Sequence, residues 1–482
     1  MKEVPSIFKS FRGETIVSLN SFQMVQKDKY HLVINPDTGA WLTVSESDKG
    51  YLDFLSLPKT LNEIKKIPQQ NNRLKEFVDE LFYSGIIKVN GKDVFMLKEK
   101  SQEPKLPLFW VLKYTNSCNL RCAYCYSYDK HIKERIDLPN EYIYKVSDLI
   151  GTTSKEHRLC FCFHGGEPLT RYRDIVECVN ELRKRRKEDV EFTIQTNGTL
   201  LTPQIAKYLK DEDFSVGISV DGFNEETNIL RPYANHKTSI YKTLDAIKNC
   251  VEVGITPGVI SVMTNNIYDK SLDIVRNLSE LGIKSFHFNH FIPSGRGENK
   301  EKDFSIPTKD ILDIRLKMLL FINDYNASKE KNEHISERYT SNLIKRLTQQ
   351  RHLSYMCAQS PCGAGRRILT LAGNGDVFPC DDLGTIPEFK IANINNINDL
   401  ESTLNTSKSV MMCQTHCVEN IPQCRDCLYK KLCISHCCSD SYHYTGSFYA
   451  PHSACEFIKK FIPAVIDLLY KGRIQIENLI DK

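Results

Sequence analysis

The chain has 482 residues, 41% of them hydrophobic and 26% charged, the proportions of an ordinary globular protein with room for roughly two to four domains. Its 64 basic and 60 acidic side chains leave a net charge of +4, too balanced to imply polyanion binding, and no nucleic-acid partner is expected. The opening MKEVPSIFKSFRGE lacks the apolar core of a signal peptide and no apolar run is long enough to cross a bilayer, so the expectation is a reducing cytoplasm without membrane attachment, where 18 cysteines serve better as metal ligands than as disulfides.

Residues 1–104 carry no metal-type cysteine. YHLVINPDTGAWLTV reads as two strands joined by a Pro-Asp-Thr-Gly turn. Helical patterns follow in SESDKGYLDFL, TLNEIKKI and NNRLKEFVDELFYSG, the last with Leu74, Phe77, Val78 and Leu81 on one face. A hairpin, IIKVNGKDVFML, turns at Asn90-Gly91. Together these make a winged-helix-like α+β domain, and KEKSQEPK (Lys98 to Lys105) its linker.

From Leu108 strand and helix alternate. LFWVLKYT, LCFCFHG, EFTIQTN, FSVGISVDG, TPGVISVMT and SFHFNHF are strands; YRDIVECVNELRKRRK, TPQIAKYLKDE, SIYKTLDAIKNCVEVG and KSLDIVRNLSELG are helices. Such alternation builds a parallel sheet with helices outside, here an α/β fold over 105–305: a partial (β/α)6, TIM-like barrel with its informative residues at strand C-terminal ends. The basic run Arg183 to Lys187 ends a helix whose Ile175, Val179 and Leu182 form the buried stripe, so it reads as a solvated helix end. Residues 306–350 read as a charged helical linker, 351–460 as a cysteine-rich iron–sulfur domain and 461–482 as a C-terminal helix.

Chemistry enters at SCNLRCAYCYSY. Cys118, Cys122 and Cys125, separated by three and two residues, can hold three corners of an iron–sulfur cube and leave the fourth iron open. About 40 residues on, at the end of the second strand, stands Gly165-Gly166-Glu167-Pro168, whose glycines permit close backbone approach. The third strand ends in Gln195-Thr196-Asn197-Gly198 and the fourth in Ser219-Val220-Asp221-Gly222, with Arg231 following in NILRPY. In this order the motifs resemble the radical S-adenosylmethionine (radical SAM) enzymes. The resemblance implies that the open iron chelates S-adenosylmethionine, that Tyr124 lies near the adenine, that Gly165, Gly166, Glu167 and Asn197 line the cofactor, and that Ser219 and Arg231 bind its ribose and carboxylate.

The C-terminal cysteines are ordered as Cys362, twelve residues, Gly375, four residues, Cys380, then Cys424, Cys427, Cys433 and Cys437 at intervals of two, five and three, then Cys455. This resembles the SPASM extension of radical SAM peptide-modifying enzymes, which implies two auxiliary four-iron clusters beside the SAM-binding one. Carried over by position, one falls to Cys357, Cys362, Cys380 and Cys437, the other to Cys424, Cys427, Cys433 and Cys455. Cys357 lies outside the core motif, which leaves an open iron as an alternative, and Cys438 adjoins Cys437 and can compete with it. Cys413 and Cys417 have no place in the pattern and read as bystanders; Cys160, Cys162, Cys178 and Cys250 read as packing. In sulfatase-maturing relatives an acidic residue follows this ligand cysteine as a catalytic base, which the resemblance carries to Asp381.

The implied activity is that of a radical SAM oxidoreductase: a 5′-deoxyadenosyl radical abstracts hydrogen from a residue of a ribosomally made precursor peptide and a thioether or carbon–carbon cross-link forms. The N-terminal domain resembles leader-peptide recognition elements, which pair a leader with a strand edge. A flavodoxin or ferredoxin would donate the electron. The alternative is a sulfatase-maturation-like oxidation of Cys or Ser to formylglycine.

Overall fold

A computed structural model describes residues 6–67, 71–94, 106–153, 157–349 and 356–480. The expected linker from Lys98 to Lys105 lies outside them. The chain divides into two compact units: one holds 1–101, 345–352 and 422–433, the other 102–344, 353–421 and 434–482. Among the described residues no helix is long and apolar enough to cross a membrane.

In the first unit, β1 (Ile16–Leu19), β2 (Gln23–Gln26), β3 (His31–Ile34), β4 (Trp41–Val44), β5 (Lys59–Thr60), β6 (Ile87–Val89) and β7 (Lys92–Asp93) make two small antiparallel sheets, ordered β5-β1-β6-β7 and β2-β3-β4. Strands β3 and β4 are the expected pair; β2, too polar to stand out in QMVQ, adds an outer strand beside β3. The β6–β7 turn places Asn90 and Gly91 at φ of 50° and 76°, the left-handed geometry that Asn-Gly supplies cheaply. Leu61–Lys65 starts with a capping box between Thr60 and Glu63. In Asn71–Ser84 the expected face is buried: Leu74, Phe77, Val78 and Leu81 are at most 2% exposed. The turn between β3 and β4 seats the 422–433 segment, with Lys430 Nζ 2.9 Å from Asp37 Oδ1.

The second unit is built on one ten-stranded sheet. The six expected strands, β8 (Phe109–Thr115), β9 (Leu159–Gly165), β10 (Val190–Thr196), β11 (Ser215–Ser219), β12 (Gly258–Met263) and β13 (Ser285–His290), lie side by side and parallel. Their alternate residues, such as Phe161, Phe163, Phe192 and Ile218, fill the core. The expected α/β partial barrel is thus present, and it is extended at both edges. β14 (Ser336–Glu337), from the stretch read as linker, adds parallel to β13; β15 (Ile368–Leu371) adds parallel to β8 and leads antiparallel into β16 (Asp376–Phe378) and β17 (Ala392–Asn393). β14 brings Glu337 to Arg315 of the Thr308–Ala327 helix at 2.9 Å, both side chains 0% exposed. Asn140–Ile150 is a helix that the sequence reading passed over, although Ile143, Val146 and Ile150 repeat at helical spacing and are buried.

Because β8, β9, β10 and β11 run parallel, their C-terminal ends lie at one rim. The cluster loop, the Gly-Gly-Glu turn, Asn197 and Ser219 follow from those ends, so the sheet itself gathers residues about 100 positions apart.

Candidate active site

The loop after β8 carries Cys118, Cys122 and Cys125 and is tied at both sides: Arg121 N donates to Pro232 O at 2.8 Å and Ala123 N to Leu230 O at 2.9 Å. Cys118 Sγ accepts from Leu120 N at 3.4 Å and Asn197 Nδ2 at 3.8 Å. Burial pushes the Cys118 thiol up to about 12 and pushes Cys122 up too.

The Gly-Gly-Glu turn folds back on this loop. Gly166 N donates to Thr115 O at 2.6 Å and Glu167 N to Ser117 O at 2.8 Å. A Cβ on Gly166 would stand 2.1 Å from Ser117 O, and one on Gly165, at φ +112°, 2.6 Å from Thr115 O. The glycines thus let two stretches of backbone meet, while both also line a cavity of about 250 Å³. Glu167 is 0% exposed and its carboxylate accepts from Leu169 N (3.0 Å), Thr196 Oγ1 (2.7 Å) and Asn197 N (2.8 Å). Burial pushes this carboxyl up, opposed by those donors. It clamps the ends of β9 and β10 and so sets Asn197 against Cys118.

Tyr124 and Arg231 meet at a residue not singled out in the sequence. Asp221, 2% exposed, accepts the Tyr124 hydroxyl and also Val262 N at 3.1 Å; Arg231 Nη1 donates to Tyr124 Oη at 3.0 Å. Arg231 thus brings its charge under the loop beside Cys122. Ser219 Oγ accepts from Gln195 Nε2 at 2.8 Å, at the rim between β10 and β11.

Asp381 stands next to this rim, on the loop after β16. It accepts the Tyr126 hydroxyl, pairs with Lys113 Nζ at 2.6 Å and has His164 Nδ1 at 3.9 Å. Burial raises its carboxyl, but the Lys113 ammonium, His164 and the Tyr126 hydroxyl outweigh burial and hold it at about 2. Lys113, Tyr126 and His164 were missed as site residues; each sits in a cluster or strand-end motif, yet nothing local signals their shared partner, Asp381, more than 200 residues further along the chain. The 250 Å³ cavity beside them has apolar walls at Ile132, Ile136, Phe378 and Pro387 and reaches Gly165 and Gly166.

In the cysteine-rich region Cys362, Cys380, Cys413 and Cys438 share one buried cluster, with Cys437 adjacent to Cys438 and electrostatically coupled to Cys362, Cys380 and Cys357. Cys357 is exposed on the Met356–Ala358 turn. Backbone amides point at these sulfurs: Ala364 and Cys438 N–H at Cys362, Leu383 N–H at Cys380, and Asp440 N at Cys437 at 3.5 Å. Such N–H···S contacts favour thiolate and fit a cluster-bearing donor set. Of the second set, Cys424, Cys427 and Cys433 belong to the first unit and Cys455 to the second. Among the described residues no three His, Cys, Asp or Glu side chains converge on a single-ion position. Cys178 and Cys250 are fully buried, and Cys160 and Cys162 nearly so.

Residues 112–267 match the family profile described as the radical SAM superfamily. The chain carries a radical SAM domain. The match runs from inside β8 past the end of β12 and so contains the cluster loop, the Gly-Gly-Glu turn and Arg231. A cysteine-type anaerobic sulfatase-maturating enzyme of Clostridium novyi (strain NT) is 27% identical over 339 residues, 67% of this chain and 85% of that protein. The radical SAM cyclopropyl synthase TigE of Paramaledivibacter caminithermalis is 25% identical over 424 residues, 82% of this chain and 84% of that one. Among solved structures, native anSMEcpe with bound AdoMet superposes with a TM-score of 0.64 at 20% identity, covering 76% of this chain and 99% of that one. Streptococcus suis SuiB bound to precursor peptide SuiA gives 0.55 at 16% identity, covering 91% and 100%. At these identities the structural likeness is one of fold. The two named relatives are both enzymes, and TigE is named as a radical SAM enzyme.

Proposed function

We propose that this chain is a radical SAM peptide maturase that forms an intramolecular thioether or carbon–carbon cross-link in a ribosomally made precursor. When bound, S-adenosylmethionine at a four-iron cluster supplies a 5′-deoxyadenosyl radical able to take hydrogen from an unactivated carbon. The chain's own residues do the rest. Cys118, Cys122 and Cys125 hold the cluster; Gly165, Gly166 and Asn197, set by Glu167, shape the floor at the cofactor; Ser219, Tyr124 and Arg231 orient it. Two further four-iron clusters, on Cys357, Cys362, Cys380 and Cys437 and on Cys424, Cys427, Cys433 and Cys455, would accept the second electron, with a flavodoxin or ferredoxin as external donor. Asp381 receives the substrate proton through its ion-paired carboxylate.

The observation that carries this reading is the folded unit ahead of the cluster loop, whose outer strand β2 is largely exposed and pairs with β3 on one side. An edge of this kind offers main-chain hydrogen bonds to a leader peptide. The similarity to TigE extends over 82% of the chain, and SuiB has been captured with its precursor peptide. A second reading, oxidation of Cys or Ser to formylglycine, is favoured by Asp381 and by the sulfatase-maturating relatives.

The test is anaerobic incubation of reconstituted protein with S-adenosylmethionine, reductant and candidate precursor peptides that carry Cys or aromatic residues. A loss of two hydrogens with a blocked thiol or a fragmentation-resistant segment supports a cross-link; an aldehyde trapped by a hydrazide supports the second reading. Cys122→Ala, which removes one cluster ligand, should release no 5′-deoxyadenosine.

A further inference from the structure

β15 runs parallel to β8 with Leu371 opposite Leu112, so the β15–β16 turn rises at the same rim as the cluster loop. Between that turn, the stretch 127–136 and the loop holding Thr385 and Pro387 lies the cavity of about 250 Å³. It is smaller than the ~300–1,000 Å³ of drug-sized ligand sites and suits one large side chain. Gly165 and Gly166 belong to its wall, but Tyr124, Asn197, Ser219 and Arg231 do not, so it adjoins the cofactor floor without being part of it.

Two features fix what it can hold. Its walls are apolar at Ile132, Ile136, Phe378 and Pro387, and Tyr128 and Ile132, each 41% exposed, give it an apolar lip. Gly373 keeps the turn bare opposite Ile136, since a Cβ there would stand 2.8 Å from Ile136 Cγ2. Its principal polar side chains, in contrast, already have partners in the chain. Asn116 Oδ1 accepts from Ile136 N at 2.9 Å and its Nδ2 donates to Glu134 O at 2.8 Å. Asp376 accepts from Asn374 Nδ2 at 3.0 Å and Asn393 Nδ2 at 2.9 Å, and pairs with Lys390 at 3.6 Å. Lys113 Nζ donates to Ser127 Oγ at 2.7 Å and lies 2.6 Å from Asp381 Oδ1. A polar occupant would give up its water for groups that are already bonded, whereas an apolar one gains from burial.

The position says whose side chain this is. Lys113 belongs both to the cavity wall and to the ion pair with Asp381. A Cβ on Gly384, also in the wall, would stand 3.0 Å from Asp381 O. At ~3.3–3.6 Å per residue of extended chain, a peptide with one residue at Asp381 reaches the cavity within two positions.

We propose that this cavity seats a bulky aliphatic or aromatic side chain of the precursor peptide, within two residues of the target, and so decides which residue is presented at Asp381. The inference rests on the peptide-maturase reading and adds the class of side chain the substrate carries; Ile132, Ile136, Phe378 and Pro387 are its specificity residues.

The experiment titrates N-acetyl-phenylalaninamide, N-acetyl-leucinamide and N-acetyl-glutaminamide into anaerobically reconstituted full-length protein by ligand-observed NMR, without reductant, and with and without S-adenosylmethionine. The first two are expected to bind at least about tenfold more tightly than the third, whether or not S-adenosylmethionine is present. Thr385→Trp, which fills the cavity from its loop, and Ile132→Asp, which puts a charge in its lip, should each weaken that binding by about tenfold or more. Equal affinity for the three amides, displacement of the apolar ones by S-adenosylmethionine, or wild-type affinity in either folded variant would overturn the proposal. If neither variant folds, the order of affinities in wild type with S-adenosylmethionine bound carries the decision. The parent reading is scored separately, by 5′-deoxyadenosine release and peptide mass. Wild type that prefers the apolar amides yet never alters a peptide sinks the maturase reading alone, and wild type that cross-links a peptide yet shows no preference sinks only this inference.

Discussion

Replacing Glu167 by Gln keeps the size of the side chain and removes one acceptor from a junction that uses both. One carboxylate oxygen accepts from Leu169 N and Thr196 Oγ1 and the other from Asn197 N, with the side chain wholly buried. A carboxamide has a single oxygen, so in either orientation its NH2 faces a buried donor. An orphaned buried donor costs about 1–3 kcal/mol, which makes local opening of the β9–β10 junction about 5- to 150-fold more frequent. Hydrogen exchange followed by mass spectrometry on a peptide spanning Gln195 to Thr199 reads this directly. The Asn197 amide should exchange faster in Glu167→Gln by a factor in that range, while a peptide from the Cys455–Tyr470 helix stays at its wild-type rate. Equal protection of Asn197 in both proteins would refute the view that this carboxylate clamps the strand ends.

Gly166→Ala drives a methyl into the Ser117 carbonyl, which as backbone cannot swing aside; the cluster loop should be displaced at a cost of at least ~1–3 kcal/mol, read as a loss of about four irons per chain. For Asp381, whose folded value near 2 lies below the ordinary ~3.9, the stabilisation it brings is present above about pH 4 and lost as pH falls toward 2, so wild-type product formation should show no inflection from it near neutrality. Lys113→Met leaves burial unopposed by the ammonium and should bring an acid limb into the neutral range of the pH–rate profile; an unchanged profile would show that Lys113 does not govern this carboxyl. Glu337→Gln strands the fully buried Arg315 charge and should lower stability by about 3–5 kcal/mol, seen as a reduced denaturant midpoint by Trp110 fluorescence in a Trp41→Phe background.

The six barrel strands were legible because each is a short apolar run between turn signals, and the rim motifs because each sits where its strand stops. What stayed hidden depends on partners far along the chain. Asp221 is one carboxylate among 60 acidic residues until the fold sets it under Tyr124, 97 residues earlier. Lys113 reads as the polar member of an alternating strand, and only the loop after β16 turns it into the partner of Asp381. Ser336–Glu337 is too short to carry a period, so β14 was absorbed into a linker. Cys413 read as a bystander because its spacing fits no ligand pattern, and spacing says nothing about a sulfur that touches another sulfur.

The seating of the 422–433 segment on the β3–β4 turn bears on how this protein can be cut. Three thiols of the C-terminal array, Cys424, Cys427 and Cys433, fold as part of the amino-terminal body, with Lys430 anchored on Asp37. A truncation beginning at the barrel would therefore strip those thiols of their support, and the shortened chain would lose more than the amino-terminal sheets.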